Sequence, residues 1–376
     1  MATFSGHSGP RPVGSFVGRQ RELTELRAGL SDATAGHGHL FLLSGEPGIG
    51  KTRLADEFGR AAVAPGVHVA WGRCWEGGGA PAYWPWIQVL RACFGNTDAE
   101  QRAAILGSEA TPQVALDIGQ LLPELRAAYA PGPRHSGPQP TDPEQARFQL
   151  FESVVTLLKN VARIGPLVIV IDDLHDADHP SLLLLKFIAS HSKDARILLV
   201  GTYRDTEVRQ SPELTRLIGD LSREGYSIPI AGLSEAEVGE FVAGSSGKTA
   251  DEKLVSGLYQ ATDGNPLFVD GVVRLLAAEG KLDGTGVGDT FKIPDGVQES
   301  IRRRLVKLPE ETNRTLSIAS VIGNEVETQL LARVSRSAAG EIVERMEGAL
   351  RAGIVLDSPS GASRYRFSHA LVREAL

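Results

Sequence analysis

Gly45-Glu46-Pro47-Gly48-Ile49-Gly50-Lys51-Thr52 fits the pattern G-x-x-x-x-G-K-[ST] at every defined position. A phosphate chain presents clustered negative charge, which the backbone N–H groups of such a loop can meet. Gly45, Gly48 and Gly50 permit backbone angles and a closeness of approach that a Cβ would forbid. Lys51 supplies a point charge for the β- and γ-phosphates, and the Thr52 hydroxyl can ligate Mg²⁺. With Glu46, Pro47, Ile49 and the following Arg53, the loop is the candidate seat of ATP or ADP. The pattern needs a strand before it and a helix after it. Leu40-Phe41-Leu42-Leu43-Ser44 reads as a buried strand, and Leu54, Phe58 and Ala61 fall at helical spacing.

A second stretch supplies acids for this loop. Leu167-Val168-Ile169-Val170-Ile171-Asp172-Asp173 sets apolar β-formers before two carboxylates, the Walker B pattern. Buried on both faces, such a strand delivers Asp172 to the carboxyl edge of an open α/β sheet, where ligands bind. Asp172 is expected to hold Mg²⁺ together with Thr52, directly or through water. Asp173 is the candidate base that polarises the attacking water. The segment Arg196 to Asp205 reads as a strand beside this one, whose tip reaches the γ-phosphate. Thr202 or Arg204 is then a phosphate sensor, and Arg204 is the stronger ligand for a phosphate oxygen. The alternative pairs Arg204 with Asp205 or another acid. His175 and His179 stand four apart, but no Cys or further His lies near in sequence and Pro180 breaks helix continuity beside them. They are read as part of a loop that caps a helix over 181–191.

The 376 residues call for two or three domains. Apolar content of 42% gives ample core, and a formal net charge of -7 does not attract nucleic acid to the whole surface. Two cysteines, Cys74 and Cys93, make no disulfide framework, so a reducing cytoplasmic setting is expected. Residues 1–12 read as a disordered tail without the apolar region of a signal peptide, and no apolar run is long enough to span a membrane. Val67 to Trp71 is the expected second strand. All four tryptophans, Trp71, Trp75, Trp84 and Trp86, crowd one segment around Gly77-Gly78-Gly79. They form either an aromatic anchor for an insertion or a surface for a partner or nucleotide sensing. Thr111 to Leu125 reads as a helix and 131–143 as a mobile loop. Pro143 then opens a helix that buries Phe148, Phe151, Val155 and Leu158. A short last strand is expected at Ser227 to Ile230.

From Leu233 the pattern turns helical. Ser234-Glu235-Ala236-Glu237 reads as a helix cap with acids in the first turn. Gly264-Asn265-Pro266 is a helix-breaking turn, or else the G-x-P turn of a helical lid whose Pro266 packs on the nucleotide. A Gly-rich linker follows over 280–289. Residues 291–376 read as a winged helix, with Ile301, Leu305 and Leu308, then Leu316, Ala319 and Ile322, then Ile342, Met346 and Leu350 as helix faces. Ile354-Val355-Leu356 and Tyr365-Arg366-Phe367 form the wing. This region holds 13 Lys and Arg against 11 Asp and Glu, a balance of +2, which is a weak case for direct DNA binding.

Phe16-Val17-Gly18-Arg19-Gln20-Arg21-Glu22-Leu23 resembles the adenine-side turn of AAA+ and related ATPases, with Gln20 where Glu is frequent. Val17, Gly18 and Arg19 are therefore candidate nucleotide contacts. Taken in order with Gly45 to Thr52, Tyr83-Trp84-Pro85-Trp86, Asp172-Asp173, Thr202-Tyr203-Arg204-Asp205, Gly264-Asn265-Pro266 and Phe367-Ser368-His369, it makes the chain resemble the STAND class. These are AAA+-related signalling ATPases with numerous domains, and the likeness is to the ATPase region of large LuxR-type regulators. The resemblance departs at Asp176, where the family often has Trp. Asp173 stands where many AAA+ motors have Glu, which puts fast hydrolysis in doubt. The implied fold is α/β, a P-loop parallel sheet with helices on both faces over 13–230, a helical lid over 231–290 and a winged helix over 291–376. The implied mechanism is a slow ATP hydrolase in which ADP holds the three parts closed, His369 touches the β-phosphate, and ATP opens a face for self-association. An ordinary surface role for His369 is the alternative. Superhelical repeats and an effector, often a DNA reader, are expected beyond the chain's last helix. GTP is disfavoured because no Asn-Lys-x-Asp is present. A continuously hydrolysing motor and a DNA-binding winged-helix protein are the competing readings.

Overall fold

The computed structural model describes residues 16–62, 66–77, 79–95, 97, 99–106, 112–128, 142–246, 251–278, 298, 301–302, 304–358 and 363–376. The expected tail over 1–12, the linker over 280–289 and nearly all of the loop over 131–143 lie outside the described residues. The sheet is built from β1 (His39–Gly45), β2 (His68–Arg73), β3 (Leu167–Asp172), β4 (Ile197–Arg204) and β5 (Tyr226–Pro229), in the order β2-β3-β4-β1-β5. Every pairing is parallel. β4 thus stands between the phosphate-loop strand and the Walker B strand, with Leu43 opposite Thr202 and Gly45 opposite Arg204.

The unbroken apolar runs follow from this central position. Side chains alternate between faces along a strand. Leu40, Leu42, Ile169, Ile171, Ile197 and Leu199 belong to one core, while Phe41, Leu43, Val168, Val170, Leu198 and Val200 belong to another. Helices cover both faces, so no strand position can be polar without cost, and each fully buried Leu, Ile or Val contributes about 1.5–3 kcal/mol. The first core takes in Trp86 and the helices Trp84–Phe94 and Pro143–Ile164; the second takes in Gln20–Thr34 and Lys51–Ala62.

One expected core position is corrected. Phe148 is 52% exposed and meets Phe187 edge-on at 5.5 Å, because it lies off the face carrying Phe151, Val155 and Leu158. The helical spacing of Leu54, Phe58 and Ala61 holds in the helix Lys51–Ala62, where Leu54, Phe58 and Ala62 are buried and Ala61 is exposed. The helix expected at 111–125 is two helices, Pro112–Leu121 and Pro123–Ala128. Pro123 lacks the N–H that would continue the first helix, and it opens the second. Pro180 likewise sits in the first turn of the helix His179–His191, whose cap is Asp178.

Beyond β5 come the helices Glu235–Ser246, Glu252–Thr262 and Pro266–Ala278. Then follow Glu310–Ile322, β6 (Glu325–Glu327), Thr328–Ser335, Ala339–Arg351, β7 (Val355–Asp357), β8 (Arg364–Phe367) and Ala370–Glu374. The strands form an antiparallel sheet ordered β6-β8-β7, with Val355 opposite Phe367. Helices followed by a β7–β8 wing are consistent with the winged-helix expectation. No sequence pattern marks β6 or the short helix after it: with Val326 and Leu331 as their deeply buried apolar anchors, neither spans enough residues to show a period. The apolar residues of 233–276 and of 301–372 merge in one core.

Candidate nucleotide-binding site

The loop after β1 turns through Gly45, Gly48 and Gly50 at φ of 148°, 80° and 98°. A side chain at Gly48 would also meet a neighbour, since an added Cβ would lie 2.7 Å from Leu267 Cβ. Lys51 opens the helix Lys51–Ala62 and folds back, its Nζ donating to the carbonyls of Gly45 and Glu46 at 2.9 Å each. Burial, with Arg204 nearby, brings its pKa down to about 8. An ammonium so placed is under-solvated and suited to an incoming polyanion. Arg53 instead lies along its own helix toward Asp56 and Glu57, at 3.7 and 3.9 Å.

The acids meet the loop from β3. Asp172 is fully buried, and its Oδ1 accepts from Thr52 Oγ1 at 2.9 Å and from Thr202 Oγ1 at 2.7 Å. Its Oδ2 accepts from Arg73 Nε at 3.2 Å. Thr202 also accepts from the Asp173 N–H at 2.9 Å, which fixes the turn where Asp173 adopts φ 61°. Burial and the Asp172 charge push the Asp173 carboxyl up to about 6. Arg204 NH1 pairs with Glu207 at 3.1 Å rather than with Asp205. Its charge still acts on both Lys51 and Asp173. His175 is buried, and desolvation with the neighbouring Arg204 brings it down to about 3, so its ring is neutral. His179 meets Glu213 at 2.5 Å.

These residues fit a magnesium nucleotide. Thr52 and Asp172 offer hard oxygen donors 2.9 Å apart, and glycine backbone lines the path that phosphates would take. Among the described residues no group of three or more His, Cys, Asp or Glu could hold a metal alone. Mg²⁺ needs no such cage, because phosphate oxygens and water complete its shell.

Arg19 is a candidate nucleotide contact in the N-terminal turn. Its side chain does more, donating to Ile49 O at 3.2 Å and to Ala231 O at 2.6 Å, and so ties the N-terminal turn, the phosphate loop and the exit from β5 together. Gly18 and Arg19 both take positive φ. A Cβ at Gly18 would strike Glu237 Oε1 at 2.2 Å. Val17, beside them, is half-buried. Glu237 and Ser234 cap the helix Glu235–Ser246 reciprocally, the Ser234 N–H donating to Glu237 and the Glu237 N–H to Ser234. No local pattern could disclose a contact spanning 212 residues.

Two later segments reach the loop. Asn265 Nδ2 donates to Pro47 O at 3.1 Å and the Leu267 N–H to Gly48 O at 3.3 Å. A Cβ on Gly50 would lie 3.9 Å from the Pro266 ring. His369 Nε2 lies 3.0 Å from Glu46 Oε2, with its ring edge-on to Phe268 at 5.0 Å. Burial alone would raise the Glu46 pKa, but the His369 bond, then the charges of His369, Arg304 and Lys51, leave it below the usual carboxylate value.

Residues 15–200 match the sequence profile of the AAA ATPase domain family. An uncharacterised protein of Rhizobium meliloti (strain 1021) is 27% identical over 201 residues, 52% of this chain and 19% of that protein. Among solved structures, a STAND protein with a tetratricopeptide repeat sensor from Pyrococcus horikoshii is 17% identical at a TM-score of 0.38, covering 97% of this chain and 43% of that one. Cdc6p from Pyrobaculum aerophilum is 13% identical at a TM-score of 0.40, covering 99% and 96%. A RuvB variant from Thermotoga maritima is 15% identical at 0.39, covering 96% and 95%. The chain therefore spans far less than two thirds of the Rhizobium and Pyrococcus proteins. No helix among the described residues is long and apolar enough to cross a membrane. Because the profile match runs from the turn at Arg19 through the loop at Lys51 to the carboxylates at Asp172 and Asp173, residues 15–200 belong with the P-loop ATPase domains related to AAA+.

Proposed function

We propose that this chain is the ATP/ADP-binding core of a cytoplasmic signal-transduction or transcription-regulating ATPase of the STAND class, in which slow hydrolysis governs lid opening and self-association. The observation that carries the reading is that one phosphate loop is held by two later segments, Asn265–Leu267 on one side and His369 on the other. A change in what the loop binds is thereby felt by both segments at once. The three-part division at 13–230, 231–290 and 291–376 belongs to this proposal, with the second and third parts moving as one because they share a core.

Bound magnesium ATP would supply the γ-phosphate whose hydrolysis resets the switch. Thr52 and Asp172 would hold the metal, and Lys51 would exchange the Gly45 and Glu46 carbonyls for phosphate oxygens. Asp173, ionised at neutral pH yet raised to about 6, is suited to accept a proton from water. Arg204 stands near enough to Lys51 and Asp173 to neutralise charge on a terminal phosphate. Direct DNA binding is disfavoured further: Arg304, of the basic run at 302–304, is turned inward toward Glu46 and Glu207. The poised Asp173 also favours a second reading, a continuously turning ATPase. Steady-state turnover measured beside the nucleotide that co-purifies separates them. Retained ADP with turnover far below about 1 s⁻¹, the bottom of the usual enzyme range, supports the switch, and rapid steady turnover refutes it.

A further inference from the structure

The Trp-rich segment after β2 has no part in the scheme above, and it places one cation on the Walker B carboxylate. Arg73 ends β2 directly opposite Asp172 in register. Its Nε and NH2 both lie 3.2 Å from Asp172 Oδ2. The backbone at Arg73 is clamped as well. Its N–H donates to Gln88 Oε1 at 3.2 Å, and Gln88 Nε2 donates back to Arg73 O at 2.8 Å. Gln88 belongs to the helix Trp84–Phe94, which is pinned by fully buried Trp86 through its indole N–H to Ser181 O at 3.0 Å. That helix can sit so close only because residue 72 is glycine, where a Cβ would meet the Pro85 carbonyl oxygen at 2.3 Å. The aromatic anchor thus sets the register of a single arginine.

The arrangement saturates Asp172. An ionised carboxylate offers about four acceptor sites. Two hydroxyls, from Thr52 and Thr202, occupy Oδ1, and two guanidinium nitrogens occupy Oδ2. Thr52 and Thr202 are fixed in a helix and a central strand, whereas the Arg73 side chain is 61% exposed. Arg73 is also the partner whose charge opposes a divalent cation.

We propose that Arg73 is a positioning residue that competes with Mg²⁺ for Asp172, holding the carboxylate in place and yielding Oδ2 as the magnesium nucleotide loads. The inference rests on the nucleotide site proposed above. It predicts that Arg73 sets the Mg²⁺ concentration at which nucleotide is gripped, a property that a surface ion pair of purely structural use would not touch.

The test is a Mg²⁺ titration of fluorescent ADP and ATP analogues against the whole chain, in wild type, Arg73→Ala and Arg73→Lys. Arg73→Ala should lower the half-saturating Mg²⁺ by roughly fivefold, the upper end of the scale for a charge pair screened by solvent, because the cation is exposed and the carboxylate buried. Arg73→Lys, which keeps the opposing charge but not the two-nitrogen contact, should return part of the way to the wild-type value. An unchanged half-saturating Mg²⁺ in a folded Arg73→Ala protein overturns the inference, as does a rise in it. Loss of thermal stability with the Mg²⁺ midpoint unmoved assigns Arg73 a structural role only and overturns it equally. Nucleotide affinity of the wild type at saturating Mg²⁺, read from the same curves, separately tests the site: failure to bind there sinks the nucleotide site itself, not merely the competition.

Discussion

Replacing His369 with Ala should loosen its hold on the phosphate loop, the closed arrangement of the proposed switch, by an amount the geometry sets. The His369 side chain is 3% exposed and its Nε2 stands 3.0 Å from Glu46, whose side chain is 38% exposed. A hydrogen bond to a charged group contributes about 1.5–3 kcal/mol net, and an edge-on ring contact such as that with Phe268 about 0.5–1.5 kcal/mol. Exposure of Glu46 to solvent screens the pair, so the lower part of the range applies, about 2 kcal/mol, or roughly thirtyfold in the closed-to-open ratio. If closure retains ADP, a fluorescent ADP analogue should leave the His369→Ala protein roughly thirtyfold faster by stopped flow. Glu46→Gln, which weakens the pair but leaves the Phe268 contact, should speed release by less, and the double variant should exceed His369→Ala by little, because both act on one pair. Purely additive effects, or faster release in His369→Ala with Glu46→Gln silent, would refute the pair as the latch and favour a direct role of His369 on the nucleotide. Since the Glu46 pKa is held below its usual value, this pair's contribution is complete above the ordinary carboxylate range near 4.5 and is lost as pH falls through the lower folded value.

The pH profile of kcat/KM should be bell-shaped, rising through about 6 as Asp173 ionises and falling through about 8 as Lys51 deprotonates. The same shifts act on the nucleotide-free fold. The raised Asp173 costs stability that grows from pH 3.8 to about 6, and the lowered Lys51 imposes a cost that is full below about 8 and fades toward 10.5. Melting temperatures of the wild type should therefore recover toward alkaline pH, and those of Lys51→Met should not. Gly72→Ala should lower stability by about 1–3 kcal/mol, the usual cost of overpacking, because the backbone carbonyl of Pro85 must move. Chemical denaturation with an unshifted midpoint would show that the helix Trp84–Phe94 packs otherwise.

What the sequence disclosed and what it withheld divide by distance. The phosphate loop, the Walker B strand and the β4 tip are contiguous, and their glycines, acids and apolar runs each have one local physical reason. Thr52, Asp172 and Thr202 could thus be named before their 2.7–2.9 Å contacts were seen. The Arg19 staple, the Arg73 fork and the Glu46–His369 pair each join residues 30 to 323 positions apart, and no periodicity encodes such partners. Phe148 shows the complementary limit: helical spacing places a residue near a face, but the edge of that face is decided by what packs there.

The most direct measurement is calorimetric titration of ADP with Mg²⁺ into the wild-type and Lys51→Ala proteins. One site in the wild type and no measurable binding in Lys51→Ala is the predicted result. Equal affinity in the two, or no binding to either at millimolar nucleotide, would contradict a site built on the loop at Gly45 to Thr52.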